Sequence, residues 1–233
     1  MSKKPKIHFS ELWKQVEFKK FSTLTLIFSN LLVIVFAVVD NLSAVDILWI
    51  YWTQSVIIGI FNFIKMITLK EFSTIGFKQG GKVVRPTRAT AISSAIFFLF
   101  HYGFFHVIYA VFIGSFSTFG NLNNTTNDIN YILYASITFF VSYFIEFINS
   151  KKTEPTDELP NIGYLMFAPY ARIIPMHLTI IFGGFISAAG GFFSTDTNLA
   201  IIVLFTGIKT VVDLISHSVN FDSLKKQIVT ASD

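Results

Sequence analysis

The chain has 233 residues, of which 52% are hydrophobic and 14% charged; its net charge is +4 and it has no cysteine. A soluble domain is about a quarter charged, so this balance, with 28 Phe and a mean hydropathy of +0.59, points to a polytopic membrane protein. Disulfides, zinc ribbons and thiol catalysis are excluded. Nucleic acid is not an expected partner, because membrane topology accounts for the basic residues.

Residues 1–20 are basic and polar. Within them Phe9, Leu12, Trp13 and Val16 recur at helical spacing beside Lys14, Lys19 and Lys20. That pattern predicts a short amphipathic helix on the membrane surface, against a disordered basic tail as the alternative. Six apolar segments follow: Phe21–Val39, Ile47–Met66, Thr90–Gly114, Ile129–Ile148, Ile173–Phe193 and Leu199–Ser218. Each is close to the roughly 20 residues that cross a bilayer as a helix, where every backbone group must be satisfied internally. The expected fold is all-α, a six-helix transmembrane bundle over residues 21–218, with a tail at 219–233.

Lys and Arg set the expected orientation. Six lie in the N-terminal segment; Lys65, at the inner boundary of the second segment, and Lys70, Lys78, Lys82, Arg85 and Arg88, between the second and third, make six more. Lys151, Lys152 and Arg172 lie between the fourth and fifth, and Lys225 and Lys226 in the tail. The other three connections hold none, and Lys209 alone stands inside a segment. This is the positive-inside pattern, and it puts both termini and the two longer connections in the cytoplasm. The outer connections are short and polar; Asn41-Leu42-Ser43 and residues 121–126 carry glycosylation-type triplets that in a prokaryote mean only loop.

The last segment carries Lys209, Asp213 and His217 at four-residue steps. A step of four turns the helix face by about 40°, so the three form one polar stripe. Ionisable groups at membrane depth are costly unless paired or wetted, and they mark candidate sites. From helix direction, His101 and Lys209 fall near the middle, while Asp213, His217, His177, Arg172, Lys65 and Glu146 fall in the inner half; Gln54 lies in the outer part of the second segment. Lys209 and Asp213 also admit a purely structural reading, as a pair that neutralises itself. Gly183, Gly184, Ser187 and Ala188 in the fifth segment suit close helix packing, with a hinge as the competing reading. The run Gly76–Lys82 mimics a phosphate loop, but Val83 stands where Ser or Thr would hold magnesium, and no strand precedes it.

Several stretches together carry a resemblance: Tyr51-Trp-Thr-Gln-Ser-Val-Ile-Ile-Gly59 with Asn62 and Lys65, Phe98-Leu-Phe-His101-Tyr-Gly103 with His106, Arg172-Ile-Ile-Pro-Met-His177 running into Gly183-Gly184, and Lys209 with Asp213 and His217. The chain resembles a family of uncharacterised prokaryotic integral membrane proteins, a domain of unknown function. The resemblance implies polytopic topology in the cell membrane and no particular activity. Where that family has Glu after the Trp-x pair, this chain has Gln54, which implies that an acid is dispensable there.

Three functions remain open from sequence. His101, His177, Asp213 and His217 suit zinc or another divalent metal, which would activate water for hydrolysis. Lys209 with Asp213 suits a proton-coupled transporter. The stripe also suits a structural or partner-binding protein. The lipid bilayer is the one partner expected, and the oligomeric state is open. The topology makes a prediction: a reporter fused after Asp233 is active only in its cytoplasmic form, and activity of an external reporter there would overturn the even number of spans.

Overall fold

The computed structural model describes residues 42–119, 129–152, 159–193 and 197–218, together with Leu24, Ile27, Phe28, Asn30, Leu31, Ile34, Val35 and Val39, all eight of them helical. The surface helix expected over residues 1–20, the connection at 121–126 and the tail at 219–233 lie outside the described residues. The described chain is mostly helical.

Helix α1 (Ala44–Ile67) starts at a capping box, in which the Ser43 side chain accepts from the Asp46 amide and the Asp46 carboxylate accepts from the Ser43 amide. Two of the donors left free at a helix start are thereby met. The Ala44 amide donates to Asn198 Oδ1 at 2.7 Å, which ties the start of α1 to the start of α6 (Thr197–Ser218). Helix α2 (Arg88–Phe119) runs antiparallel to α1: Trp52 reaches the His106 carbonyl, Ser55 meets Tyr102, and Arg88 donates to the Ile67 carbonyl. Helix α3 (Ile129–Lys152) lays Phe140, Phe144 and Phe147 around Phe61 of α1.

Three helical runs, Ala44–Ile67, Arg88–Ser115 and Ile162–Phe185, are long and apolar enough to cross a membrane. Two more apolar stretches, Ile132–Ile145 and Asn198–Val212, are shorter among the described residues. On α2 the residues Ala91, Ala95, Phe98, Tyr102, Tyr109 and Ile113 are buried, at steps of three, four and seven that trace one helix face. The opposite stripe is as apolar but bare: Phe100, Phe104, Val107 and Val111 are 61–73% exposed. An exposed apolar face this long is a liability in water and ordinary against lipid.

The connection between α1 and α2 is a folded cap. Its strands β1 (Lys78–Gln79) and β2 (Lys82–Val83) pair antiparallel around Gly80 and Gly81, at φ 55° and 79°. Two successive left-handed residues make the tight hairpin turn that glycine favours. The run Gly76–Lys82 is therefore a hairpin, which agrees with rejecting a phosphate loop. Gln79 donates to Ser94 Oγ at 3.0 Å, and Ser73 exchanges backbone hydrogen bonds with Pro160 and Ile162.

The largest departure from expectation lies between α3 and the fifth apolar segment. Helix α5 (Ile173–Phe193) has the predicted bounds, but it continues a helical run that starts earlier. Asn161 caps α4 (Ile162–Phe167), and a 3-10 turn over Ala168–Arg172 joins α4 to α5. The sequence reading places this stretch in the connection between the fourth and fifth segments, because the apolar runs end at Ile148 and resume at Ile173. Pro169 is tolerated because it opens the 3-10 turn, where its ring and missing amide do least damage. Arg172, expected in a cytoplasmic connection, thus lies inside a membrane-length run. His177 was expected to be shallow on the inner side. It lies level with Tyr109, about 32 Å along α2 from Arg88, because α4 and the 3-10 turn carry the run past that depth.

Packing follows the small residues selectively. A Cβ on Gly59 would come within 2.6 Å of the Tyr102 ring, so α1 and α2 meet there. One on Gly183 would be in ordinary contact with Ile201 at 3.7 Å, whereas one on Gly184 would touch nothing within 4 Å. Gly184 is thus not the packing residue its spacing suggested, and the Ser187 side chain lies outside the described residues. Gly59→Ala is expected to lower stability by about 1–3 kcal/mol through overpacking, while Gly184→Ala leaves it unchanged. Thermal unfolding in detergent checks both, and equal melting temperatures would refute the contact at Gly59.

Candidate functional site

The polar groups of the interior collect around the 3-10 turn and the face of α2 beside it. Pro169 has no amide hydrogen, so the Leu165 carbonyl loses its helical donor. Asn62 of α1 supplies one, Nδ2 to the Leu165 oxygen at 2.7 Å. The turn then presents Tyr170 to α2, where its ring packs edge-on to Phe98 and Tyr102 at centroid distances of 6.0 and 5.5 Å. The Tyr170 hydroxyl meets His101 Nδ1 at 2.7 Å, and the His101 ring stacks on Phe97. Two residues on, Arg172 donates from a terminal guanidinium nitrogen to the Tyr143 hydroxyl of α3 at 3.1 Å.

Behind this layer lies a closed hydrogen-bonded ring between α1 and α2. His106 Nδ1 faces the Tyr102 carbonyl at 2.9 Å, and a carbonyl only accepts, so Nδ1 carries the proton. Nε2 is then an acceptor, and Ser55 Oγ donates to it at 3.0 Å. The Ser55 oxygen in turn accepts from the Tyr102 hydroxyl at 2.7 Å. Ser55, Tyr102 and His106 are all buried, and so each polar atom finds its partner within the ring. A serine bonded to a histidine has the makings of a nucleophile, but this Ser55 is 1% exposed and out of reach of any substrate. The ring holds α1 against α2.

A third pair stands further along. The Tyr109 hydroxyl and His177 Nδ1 lie 3.3 Å apart, at the wall of a cavity of 580 Å³ between α2 and α5. Lys209 of α6 donates to Asn30 Oδ1 at 2.9 Å. Asn30 is buried, so the stripe on α6 reaches the first apolar segment through this contact.

The residues singled out from sequence thus occupy several places. His101 joins Tyr170, His177 joins Tyr109, Arg172 joins Tyr143 and Lys209 joins Asn30. Lys65 is exposed in the last turn of α1, and Gln54 is half-buried without a side-chain hydrogen bond among the described residues. The side chains of Asp213, His217 and Glu146 lie outside the described residues. Among the described residues no three His, Asp or Glu side chains come together as a metal would require. His101 and His177 each address a different tyrosine.

Sequence reasoning missed the tyrosines. Tyr102, Tyr109, Tyr143 and Tyr170 supply a partner to His106, His177, Arg172 and His101 respectively. One signal was available: Tyr102 and His106 are four apart on a face that also holds Phe98 and Tyr109, so the histidine had to point inward with the aromatics. Tyr170 gave no such signal, because it falls in the connection between the fourth and fifth apolar segments, outside any helical pattern read from sequence.

A mostly helical protein with membrane-length apolar runs and an interior layer of tyrosine, histidine and arginine is the class that this fold and site define. The chain belongs to a family of unknown function (DUF6498), whose model matches residues 12–228. Neither the curated proteins nor the solved structures hold a match to it.

The ring between α1 and α2 yields a test. Ser55→Ala leaves His106 Nε2 buried without a donor and is expected to cost about 1–3 kcal/mol. Tyr102→Phe in the same background costs less than it does alone, with a coupling of about 0.5–3 kcal/mol. A double-mutant cycle by thermal or denaturant unfolding measures it, and additive losses would show that the two hydroxyls act separately.

Proposed function

We propose that this chain is an integral protein of the cell membrane with six spans and cytoplasmic termini, and that it binds a small anionic solute at the interrupted fifth span. The basic connections and the six apolar segments support the topology. One observation carries the binding site. The Arg172 guanidinium, half-buried inside a membrane-length apolar run, makes one side-chain hydrogen bond, to Tyr143, and meets no carboxylate among the described residues. A guanidinium offers five donors in a fork suited to carboxylate or phosphate. Left alone in an apolar span it is costly, and a bound anion would remove that cost.

The position of Arg172 supports the same reading. It closes a 3-10 turn, and interruptions of this kind in membrane helices are where carriers place their solutes, since the backbone there departs from the α-helical ladder. Tyr143 fixes one guanidinium nitrogen and leaves the rest of the fork for the ligand. Tyr170 and His101, on the other side of the turn, anchor the span to α2, and the turn is the hinge between α4 and α5. That arrangement favours transport over simple retention of the ligand.

Purified protein should be stabilised in a melting assay by one of phosphate, acetate or succinate, at constant ionic strength. Arg172→Gln is expected to abolish the shift and Arg172→Lys to weaken it at least tenfold, because an ammonium cannot reproduce the fork. Proteoliposomes loaded with the stabilising anion should release it through the wild type and not through Arg172→Gln. No stabilisation by any of the three anions, or equal stabilisation of the Gln variant, would refute the site.

A further inference from the structure

The cavity between α2 and α5 plays no part in that reading, and its lining is unusual in one respect. Phe105, Phe112, Ile181 and Phe185 make it almost wholly apolar, yet Tyr109 and His177 bring a polar pair into it. Tyr109 is buried and its hydroxyl meets His177 Nδ1, while His177 itself is exposed and its Nε2 has no hydrogen-bond partner among the described residues. When the Tyr109 hydroxyl donates to Nδ1, Nε2 carries the hydrogen and points a donor away from the pair. A lone donor in an apolar groove at membrane depth selects a ligand that is neutral, has an accepting oxygen and is otherwise apolar.

The shape fits the same ligand. Ile181 and Phe185 follow His177 by four and eight residues, so the apolar wall extends about 12 Å past the donor along α5. Gly184 lies on that wall, and a Cβ there would meet nothing within 4 Å, so the missing side chain leaves the groove open. Phe112 and Phe185 are exposed, so the groove is entered sideways, from the bilayer. We propose that the groove binds one neutral single-chain lipid, its oxygen held by His177 and its tail lying along Phe112 and Phe185. That lipid is a long-chain alcohol, whose hydroxyl can both donate and accept and so serves Nε2 in either tautomer.

The probe is a diazirine-bearing long-chain alcohol, photolysed with the purified full-length protein in detergent, with adducts mapped by mass spectrometry. Adducts are expected on Phe112, Ile181 or Phe185 in preference to Phe100 and Phe104, which face lipid on the other side of α2. Excess oleyl alcohol should suppress them at least tenfold, while 1-octadecene, which lacks the oxygen, should not, and stronger suppression by decylubiquinone than by oleyl alcohol would overturn the alcohol as the occupant. Gly184→Leu should block labelling with an unchanged melting temperature, His177→Leu should weaken it at least tenfold, and Arg172→Gln should leave it intact, which separates this site from the anion site. Adducts spread evenly over both faces of α2, or equal competition by 1-octadecene, would overturn the proposal in the wild type alone, whatever the variants do. A change of oligomeric state in Gly184→Leu with labelling retained would assign the groove to a second copy and overturn it as well.

Discussion

The Leu165 carbonyl has no amide to accept from in its own helix, because Pro169 stands where the donor would be. In water such a carbonyl turns to solvent. In an apolar span it must be met by protein, at a cost of several kcal/mol if it is not. Asn62 meets it from α1, and much of the interior follows from that bond. It fixes the level at which α4 crosses α1, allows the turn over Ala168–Arg172 to sit inside the helices, and so carries Tyr170 and Arg172 to their partners on α2 and α3.

The polar interior is organised by donors and acceptors that cancel in pairs. The ring of Ser55, Tyr102 and His106 is fully used, and with every polar atom engaged it is a rigid strut. The pairs nearer the turn are only partly used. The Arg172 guanidinium keeps donors to spare, and His177 keeps Nε2. Satisfied groups hold the helices together, and unsatisfied groups in reach of a ligand are where binding has something to gain. The two readings proposed above use different surplus donors, one charged and one neutral. Their ligands differ accordingly, an anion at the turn and a neutral lipid in the groove.

The basic end is more ordered than a string of charges would require. The hairpin around Gly80 and Gly81, the exchange between Ser73 and residues 160 and 162, and the bond from Asn161 to the Ile75 carbonyl join the start of α2 to the start of α4. Phe72 and Phe77 are buried beneath this cap. Helices that begin on a common base run side by side, and that parallel course sets His101 opposite Tyr170 and Tyr109 opposite His177.

The apolar runs were sufficient to find α1, α2, α3, α5 and α6, since a twenty-residue apolar segment has little choice but a helix. The bounds of α5 were legible to the residue, and α1, α3 and α6 to within a few. The buried face of α2 was not read from sequence, although Phe98, Tyr102, His106 and Tyr109 stand at helical spacing there. The partners were not legible. Whether a histidine faces a carboxylate or a tyrosine depends on the relative height of two helices, and that height is set by contacts far apart in sequence. By its sequence the stretch around Pro169 falls in a connection, and only Asn62, more than a hundred residues away, meets its Leu165 carbonyl and lets it form part of a membrane-length helical run. The same helical run sets His177 level with Tyr109, where it meets a phenol.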